Sequence, residues 1–352
     1  MKNRQPIKFE SVVEESDILI SSNGFKTDTH KIEHRRDPLT GHRSFIGLRL
    51  AEKYKTLVGD TDHDLISKLA ASSAEKCFFC PEKAMSATPR FPDSVLRGGR
   101  IVVGESILFP NLFPLSLYHA IVVPSKKHFL RPEEFSPELV ANAFRAAQIF
   151  IKGVPNPRML YGSLDCNYMP PAGASAIHPH FQVIVSSIPS NYTETISNAL
   201  ESYRKRNRSI YWDDLVEIEK QMGDRYIGST GPVEWLTTYS PRGLNEVLGI
   251  CPRGSFSRLA DSVIEALAQG VSHILAFYGK QDYSSFNMSM EMGRLESDEP
   301  WNRVTVRLVT RQNYSAGYRA AEHFFQHMLE TEVIAVPPEL LASQVRKHLS
   351  GE

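Results

Sequence analysis

At 352 residues, with 40 basic and 40 acidic side chains and 41% hydrophobic residues, the chain has no formal net charge. Its apolar content suffices for two core-bearing units or for one domain built from a duplicated unit. The charge balance excludes a global electrostatic pull toward nucleic acid or a membrane. No apolar run approaches the ~20 residues that span a bilayer, and the start Met1-Lys-Asn-Arg-Gln-Pro6 is polar, so a soluble, cytoplasmic protein is expected.

Residues 1 to 36 are mixed and polar. Asp37-Pro-Leu-Thr-Gly41 marks a turn into Arg43-Ser-Phe-Ile-Gly-Leu-Arg49, whose alternation predicts a strand. Residues 60 to 76, charged and small, read as helical or loose. After Cys77-Phe-Phe-Cys80 and a connection rich in proline and arginine, three segments read as neighbouring strands. They are Arg100-Ile-Val-Val-Gly104, Ile107-Leu-Phe-Pro-Asn-Leu-Phe-Pro114 and His119-Ala-Ile-Val-Val-Pro124. From Pro137 to Ile151 the apolar residues Leu139, Val140, Ala143, Phe144, Ala147 and Phe150 fall at helical spacing, a stripe that belongs to the core. Val183-Ile-Val185 then predicts a strand running into a buried sheet.

The second half repeats this order more weakly. Glu234-Trp-Leu-Thr-Thr-Tyr239 and Glu246-Val-Leu-Gly-Ile-Cys251 echo the paired strands, and Phe256 to Phe277 echoes the helix. Ser285-Phe-Asn-Met-Ser289 echoes Asp165-Cys-Asn-Tyr-Met169, and Asn302 to Thr310 lies where the last strand belongs. The chain therefore divides into N-terminal strands and a connection belonging to the first unit (1–75), a first unit with the cysteine and histidine motifs (76–195), and a second, degenerate unit (196–352). The basic run Arg204-Lys-Arg-Asn-Arg208 lacks an interleaved aromatic platform and reads as a solvated helix face.

The chemistry concentrates in Asn167-Tyr-Met-Pro-Pro-Ala-Gly-Ala-Ser-Ala-Ile-His-Pro-His-Phe-Gln182. Side chains i, i+2 and i+4 of an extended segment share a face, which aligns His178, His180 and Gln182. The small-residue turn Ala172-Gly-Ala-Ser175 lets backbone N–H groups approach an anion such as phosphate. This layout suits nucleophilic attack on phosphorus, with an imidazole attacking and an amide steadying the phosphoryl oxygens. The competing reading is a metal fragment or two satisfied polar groups, and Pro179 argues against a central strand.

Four cysteines in so long a chain do not make a secreted disulfide framework, which favours a reducing compartment. Cys77-Phe-Phe-Cys80 then reads as a redox pair, half of a zinc site, or two ordinary buried thiols. A closed zinc site needs two further ligands, and His128 and His178, each at the edge of an apolar strand-like segment, are preferred.

Taken together, these motifs resemble the galactose-1-phosphate uridylyltransferase branch of the histidine-triad superfamily. The resemblance runs in order through Arg36-Asp-Pro-Leu-Thr-Gly41, Cys77-Phe-Phe-Cys80, Phe109-Pro-Asn-Leu-Phe113, Pro124-Ser-Lys-Lys-His128 and Asn167 to Gln182. It implies an α+β fold of two units, each an antiparallel sheet with packed helices, and a homodimer. It also implies that His180 is the nucleophile that forms a covalent nucleotidyl-histidine and that Gln182 contacts the transferred phosphoryl group. Cys77, Cys80, His128 and His178 match the zinc ligands. Phe78, Phe109, Asn111, Phe113, Asn167 and Ser175 match positions lining the nucleoside and phosphate pocket.

The implied activity moves a nucleotide, UMP in the family reading, between sugar 1-phosphates of galactose metabolism. A phosphorylase using orthophosphate on a nucleoside-diphosphate sugar or dinucleoside polyphosphate shares the same intermediate, and a silent nucleotide-binding scaffold is the third reading. The chain departs from the pattern where closely spaced arginines usually meet the diphosphate, since only Arg49 and Lys53 stand there. Leu112 replaces a usual polar residue. Val304-Thr-Val306 and Gln326-His327 stand where a second His-x-His and a Tyr-Glu pair are common.

Overall fold

The structure, a computed structural model, describes residues 7–47, 49–50, 58–155, 160–295, 299, 301–318 and 324–351. Its first element is a hairpin of β1 (Glu10–Ile20) against β2 (Lys26–Arg36) in unbroken antiparallel register. β1 is exposed along nearly its whole length. That is why residues 1 to 36 read only as mixed and polar: a strand that buries no face leaves no apolar period to detect. After the turn at Asp37, whose Oδ1 accepts from the N–H groups of Leu39 and Thr40, β3 (Arg43–Gly47) joins β2.

Helix α1 (His63–Ala74) is capped by Asp62, whose side chain accepts from the Leu65 N–H. The short α2 (Pro81–Ala87) starts on the proline after Cys80, where the missing N–H costs nothing. β4 (Ile101–Val103), β5 (Ser106–Pro110) and β6 (Tyr118–Val123) follow, then α3 (Pro137–Gly153), capped by Ser136, then β7 (Tyr161–Tyr168) and β8 (Phe181–Ser186). Two connecting helices, α4 (Asn191–Asn207) and α5 (Tyr211–Met222), lead to β9 (Tyr226–Thr230), β10 (Val233–Leu236) and β11 (Leu244–Ile250). Then come α6 (Asp261–Lys280), β12 (Phe286–Arg294), β13 (Thr305–Thr310), α7 (Phe324–His327), β14 (Thr331–Ile334) and α8 (Pro338–Ser350). Among the described residues no helix is long and apolar enough to cross a membrane.

Ten strands form one antiparallel sheet in the order β4-β5-β6-β8-β7-β12-β13-β11-β10-β9. Read outward from the central β7–β12 pair, the two halves have the same connectivity, with β4 to β8 corresponding to β9 to β13 and α3 to α6. The duplication is therefore present as fold. α3 and α6 lie against each other on one face, over Leu108, Val122, Phe181, Val183, Val247 and Leu308. Alternation sends the other residues of each strand to the opposite face. There α4 and α5 cover the second half through Ile196, Leu200, Trp212 and Leu215, while Ala84 of α2 and Phe79 cover Phe109 and Ile121 in the first. Between those covers the β7 and β12 outer face is bare and polar.

The N-terminal strands belong to a separate four-stranded sheet, β1-β2-β3-β14, in which β14 runs parallel to β3. A buried ionic network fastens this sheet to the second half. Arg35 of β2 meets Glu339 of α8 with two bonds at 2.8 and 3.2 Å, and Arg225 reaches Glu339 at 3.0 Å and Glu219 of α5 at 3.0 Å. Both guanidiniums lie over the Tyr239 ring, at 4.7 and 5.0 Å. Glu339→Ala removes the carboxylate shared by two buried cations, which keep Glu33 and Glu219 as partners, so thermal or urea denaturation is expected to show a loss of about 1–3 kcal/mol. Lys220→Ala, which removes the more exposed 2.7 Å pair with Glu234, is expected to cost about 0–1 kcal/mol.

Candidate active site

Cys77 follows the end of α1, its N–H bonded to the Ala74 carbonyl, and Cys80 sits immediately before α2. The Phe79 N–H points back to Cys77 Sγ at 3.4 Å, the tight knuckle that lets both thiols face one point. Cys80 Sγ lies 3.4 Å from His128 Nδ1 and 3.7 Å from His178 Nδ1, and Cys77 Sγ lies 3.6 Å from His178 Nδ1. All four donor atoms fall within 4.8 Å of one another.

The far nitrogens fix the tautomers. His178 Nε2–H donates to the Ser125 carbonyl at 2.8 Å. His128 Nε2–H donates at 2.9 Å to Ser73 Oγ, whose own proton goes to the Leu69 carbonyl at 2.7 Å. Both Nδ1 lone pairs are thereby aimed at the thiols, the orientation a metal-binding histidine requires. Burial and then Cys77 push the Cys80 thiol up to about 11, so a cation that binds here must displace the thiol proton. Two thiols and two imidazoles at these separations fit a tetrahedral dication.

Strand β8 begins at Phe181, one residue beyond His180, because Pro179 has no N–H for the ladder. The two histidines thus sit in the segment entering the strand. Phe79 stands against both rings, at centroid distances of 6.1 Å from His178 and 5.3 Å from His180. His180 Nδ1–H donates to the His178 carbonyl at 3.0 Å, which leaves Nε2 with the lone pair. Burial holds this ring's pKa below the ordinary value, opposed by that bond.

Gln182, two residues on, is held by a residue the sequence reading passed over as part of a strand. The Leu115 N–H donates to His119 Nδ1 at 3.2 Å, so Nε2 carries the other proton and donates it to Gln182 Oε1 at 2.9 Å. The Gln182 amide NH2 is consequently the end left to meet an anion. His119 is 2% exposed. Its signal in the sequence was a polar residue on an otherwise apolar strand, but its partner lies 63 residues away on a neighbouring strand.

The remaining expected residues are distributed unevenly. Asn111 lies just past β5, its Oδ1 accepting from the Phe113 N–H at 2.9 Å and its Nδ2 3.2 Å from His119 Nε2. Phe78 and Phe113 are exposed rings, at 62% and 77%, whereas Phe109 is buried behind Phe79. Asn167, on β7, accepts at 2.8 Å from Asn287 of β12, and Gly173, at φ 85°, closes the turn above it. Ser175 is exposed on that turn. Arg49 pairs with Asp28 of the N-terminal hairpin, and Lys53 lies outside the described residues. Arg311, after β13, lines the cleft over β7 and β12; no local motif pointed to it.

Solved structures share this architecture. An ADP-glucose phosphorylase from Arabidopsis thaliana with bound ADP-glucose superposes with a TM-score of 0.68 at 15% identity, covering 90% of this chain and 98% of that one. A uridylyltransferase mutant superposes with a TM-score of 0.66 at 14% identity, with the same coverage. At these identities the likeness is one of fold: the chain shares the architecture of an ADP-glucose phosphorylase, a GalT-like protein and a uridylyltransferase. An uncharacterized protein of Archaeoglobus fulgidus is 30% identical over 342 residues, 97% of this chain and 98% of that protein, and the chain belongs to one family with it. No family model matches the chain.

Elemental analysis of the purified protein is expected to find one metal ion per chain. Cys77→Ser should lose it and lower Tm. Burial, opposed by the Gln182 bond, holds the His119 pKa below its usual value, so this ring is expected to be less protonated near pH 6.5 than an exposed imidazole, which is about half protonated there. Imidazole 15N shifts are expected to show the Nε2–H tautomer there, and a protonated ring at that pH would contradict the arrangement.

Proposed function

We propose that the chain is a nucleotidyltransferase that carries a nucleoside monophosphate on His180 between a nucleotide sugar and a second phosphate-bearing acceptor. The observation that carries this reading is the paired polarity at β8. His180 gives its Nδ1 proton to a main-chain carbonyl and keeps an Nε2 lone pair, beside an amide turned to donate. In the first half-reaction Nε2 attacks the α-phosphorus of the nucleotide sugar, and the bond to the bridging oxygen breaks. The sugar 1-phosphate leaves with that electron pair and needs no proton. The His178 carbonyl stabilises the charge that develops on the ring, and the Gln182 NH2 donates to a phosphoryl oxygen. In the second half-reaction an oxygen of the acceptor phosphate attacks phosphorus, the P–N bond breaks, and His180 returns neutral.

The nucleoside is assigned to the β5 side, with Asn111 for the ribose and the exposed Phe78 and Phe113 for the base. Asn167 and Ser175 are assigned to the phosphates. Zinc is assigned to Cys77, Cys80, His128 and His178, where it supplies a rigid closed knuckle at the head of β8 and no chemical step. Only the first repeat (76–195) carries the chemistry, since Val304 and Val306 of the second (196–352) are fully buried apolar residues. UMP and a sugar 1-phosphate acceptor are the preferred pair. The shared fold with an ADP-glucose phosphorylase favours ADP-glucose and orthophosphate as the second reading.

Intact-protein mass spectrometry after brief incubation with UDP-glucose, ADP-glucose, GDP-mannose or diadenosine tetraphosphate tests the reading. Wild-type protein is expected to gain one nucleoside monophosphate and to discharge it to an acceptor. His180→Ala should gain none while keeping its fold, and Gln182→Ala should slow transfer about 100-fold. An adduct persisting in the His180 variant would remove the proposed nucleophile.

A further inference from the structure

The second repeat reaches into the site of the first through a side chain of the central seam. Asn287 of β12 stands opposite Asn167 of β7. Its Nδ2 lies 2.8 Å from Asn167 Oδ1 and 2.9 Å from the main-chain oxygen of Ala172. A carbonyl oxygen accepts and never donates, so the end of Asn287 that faces Ala172 is its NH2 group. That group has two protons, and both are taken. The atom of Asn167 that meets it is therefore Oδ1, which turns the Asn167 NH2 toward Gly173, where a Cβ would stand 3.7 Å from it. A single main-chain carbonyl thus fixes the direction of two amides.

The same clamp holds a strained turn. Met169, 1% exposed, has φ 69° and ψ 158°, backbone angles essentially reserved for glycine. Its carbonyl accepts from the Ala172 and Ala174 N–H groups at 3.0 and 3.3 Å, and the Pro170 carbonyl accepts from Gly173 at 2.9 Å. Those bonds lie within the turn, whereas the bond from Asn287 to the Ala172 carbonyl ties it to β12. Strain of this kind persists where the surroundings over-determine it, and it clusters at functional sites. Asn167, Ala172, Gly173 and Asn287, with Arg311 and Tyr318, line a cleft of about 630 Å³.

We propose that Asn287 is a positioning residue for nucleotidyl transfer. It keeps the Asn167 amide turned donor-outward beneath the strained turn, so that the amide meets a phosphate oxygen already oriented. The degenerate repeat is in this way part of the site of the first. The role rests on the transfer reading, which assigns Asn167 to the phosphates; the amide directions do not.

Two measurements test it. Side-chain 15N–1H spectra of wild-type protein, assigned through the backbone, report hydrogen exchange without any turnover. The Asn287 NH2 is expected to exchange slowly and the Asn167 NH2 fast; the reverse order, or fast exchange at Asn287, overturns the arrangement whether or not any variant folds. Single-turnover formation of the His180 adduct from UDP-glucose and from ADP-glucose is the second. Asn287→Ala is expected to slow it about tenfold or more at saturating donor. Asn287→Asp, of the same size but unable to donate when charged, should slow it further. In an Asn167→Ala background the Asn287→Ala change should cost about threefold or less, because its route to phosphate is gone. A merely structural role leaves the two losses additive. Additive losses, or an Asn287→Ala protein that transfers at the wild-type rate, would sink the assignment of Asn287 and leave the transfer reading intact. A wild-type protein that forms no adduct removes the transfer reading and takes the positioning role with it.

Discussion

The pairing of β7 with β12 is the contact on which the rest of the molecule depends. Six consecutive partners, from Phe286 opposite Tyr168 to Glu291 opposite Ser163, join the edge strand of one half-sheet to its counterpart in the other. A five-stranded half-sheet alone exposes that edge, with its unpaired N–H and C=O groups. Joining two such edges removes both and sets α3 beside α6 in one core. It also brings Asn167 and Asn287, equivalent residues of the two repeats, into direct hydrogen-bonding contact. The polar row Gln182, Asp165, Ser289 exists only because the seam is in this register. A shift of one residue would turn it into the apolar core.

Within that frame, main-chain carbonyls decide what each imidazole does. His178 gives its Nε2 proton to Ser125 and turns Nδ1 to the cysteines, whereas His180 gives its Nδ1 proton to His178 and keeps Nε2. Two chemically identical side chains, separated by one proline, therefore present opposite ring atoms. The Cys2His2 cluster and the proposed nucleophile are coupled through this geometry, since the carbonyl that orients His180 belongs to a residue of the cluster. His119 extends the same logic to Gln182, converting an amide with two ends into a directed donor.

Much of this was legible residue by residue. The helix over 137–151, the strands before it and their fainter echo after 234 follow from local period and spacing, whereas Cys77, Cys80, His128 and His178 were legible only as donor types that the fold then brings together from 48 to 101 residues apart. The β1–β2 hairpin was not legible, since Val12, Val13, Ile18 and Leu19 are exposed and no buried face imposes a period. Arg49, a phosphate ligand by position alone, pairs instead with a hairpin carboxylate. His119 and Arg311 carried no motif, because their roles come from strands that are neighbours in the sheet and remote along the chain.

Composition and motif order were enough for the α+β class, the duplication and the set of groups available for chemistry, since these depend on residue type and short-range spacing. Which atoms of those groups face one another is a different kind of information. The tautomers of His128 and His178 and the exposed end of the Gln182 amide are set by hydrogen bonds to residues more than fifty positions away along the chain. Only the assembled fold brings those partners within bonding distance.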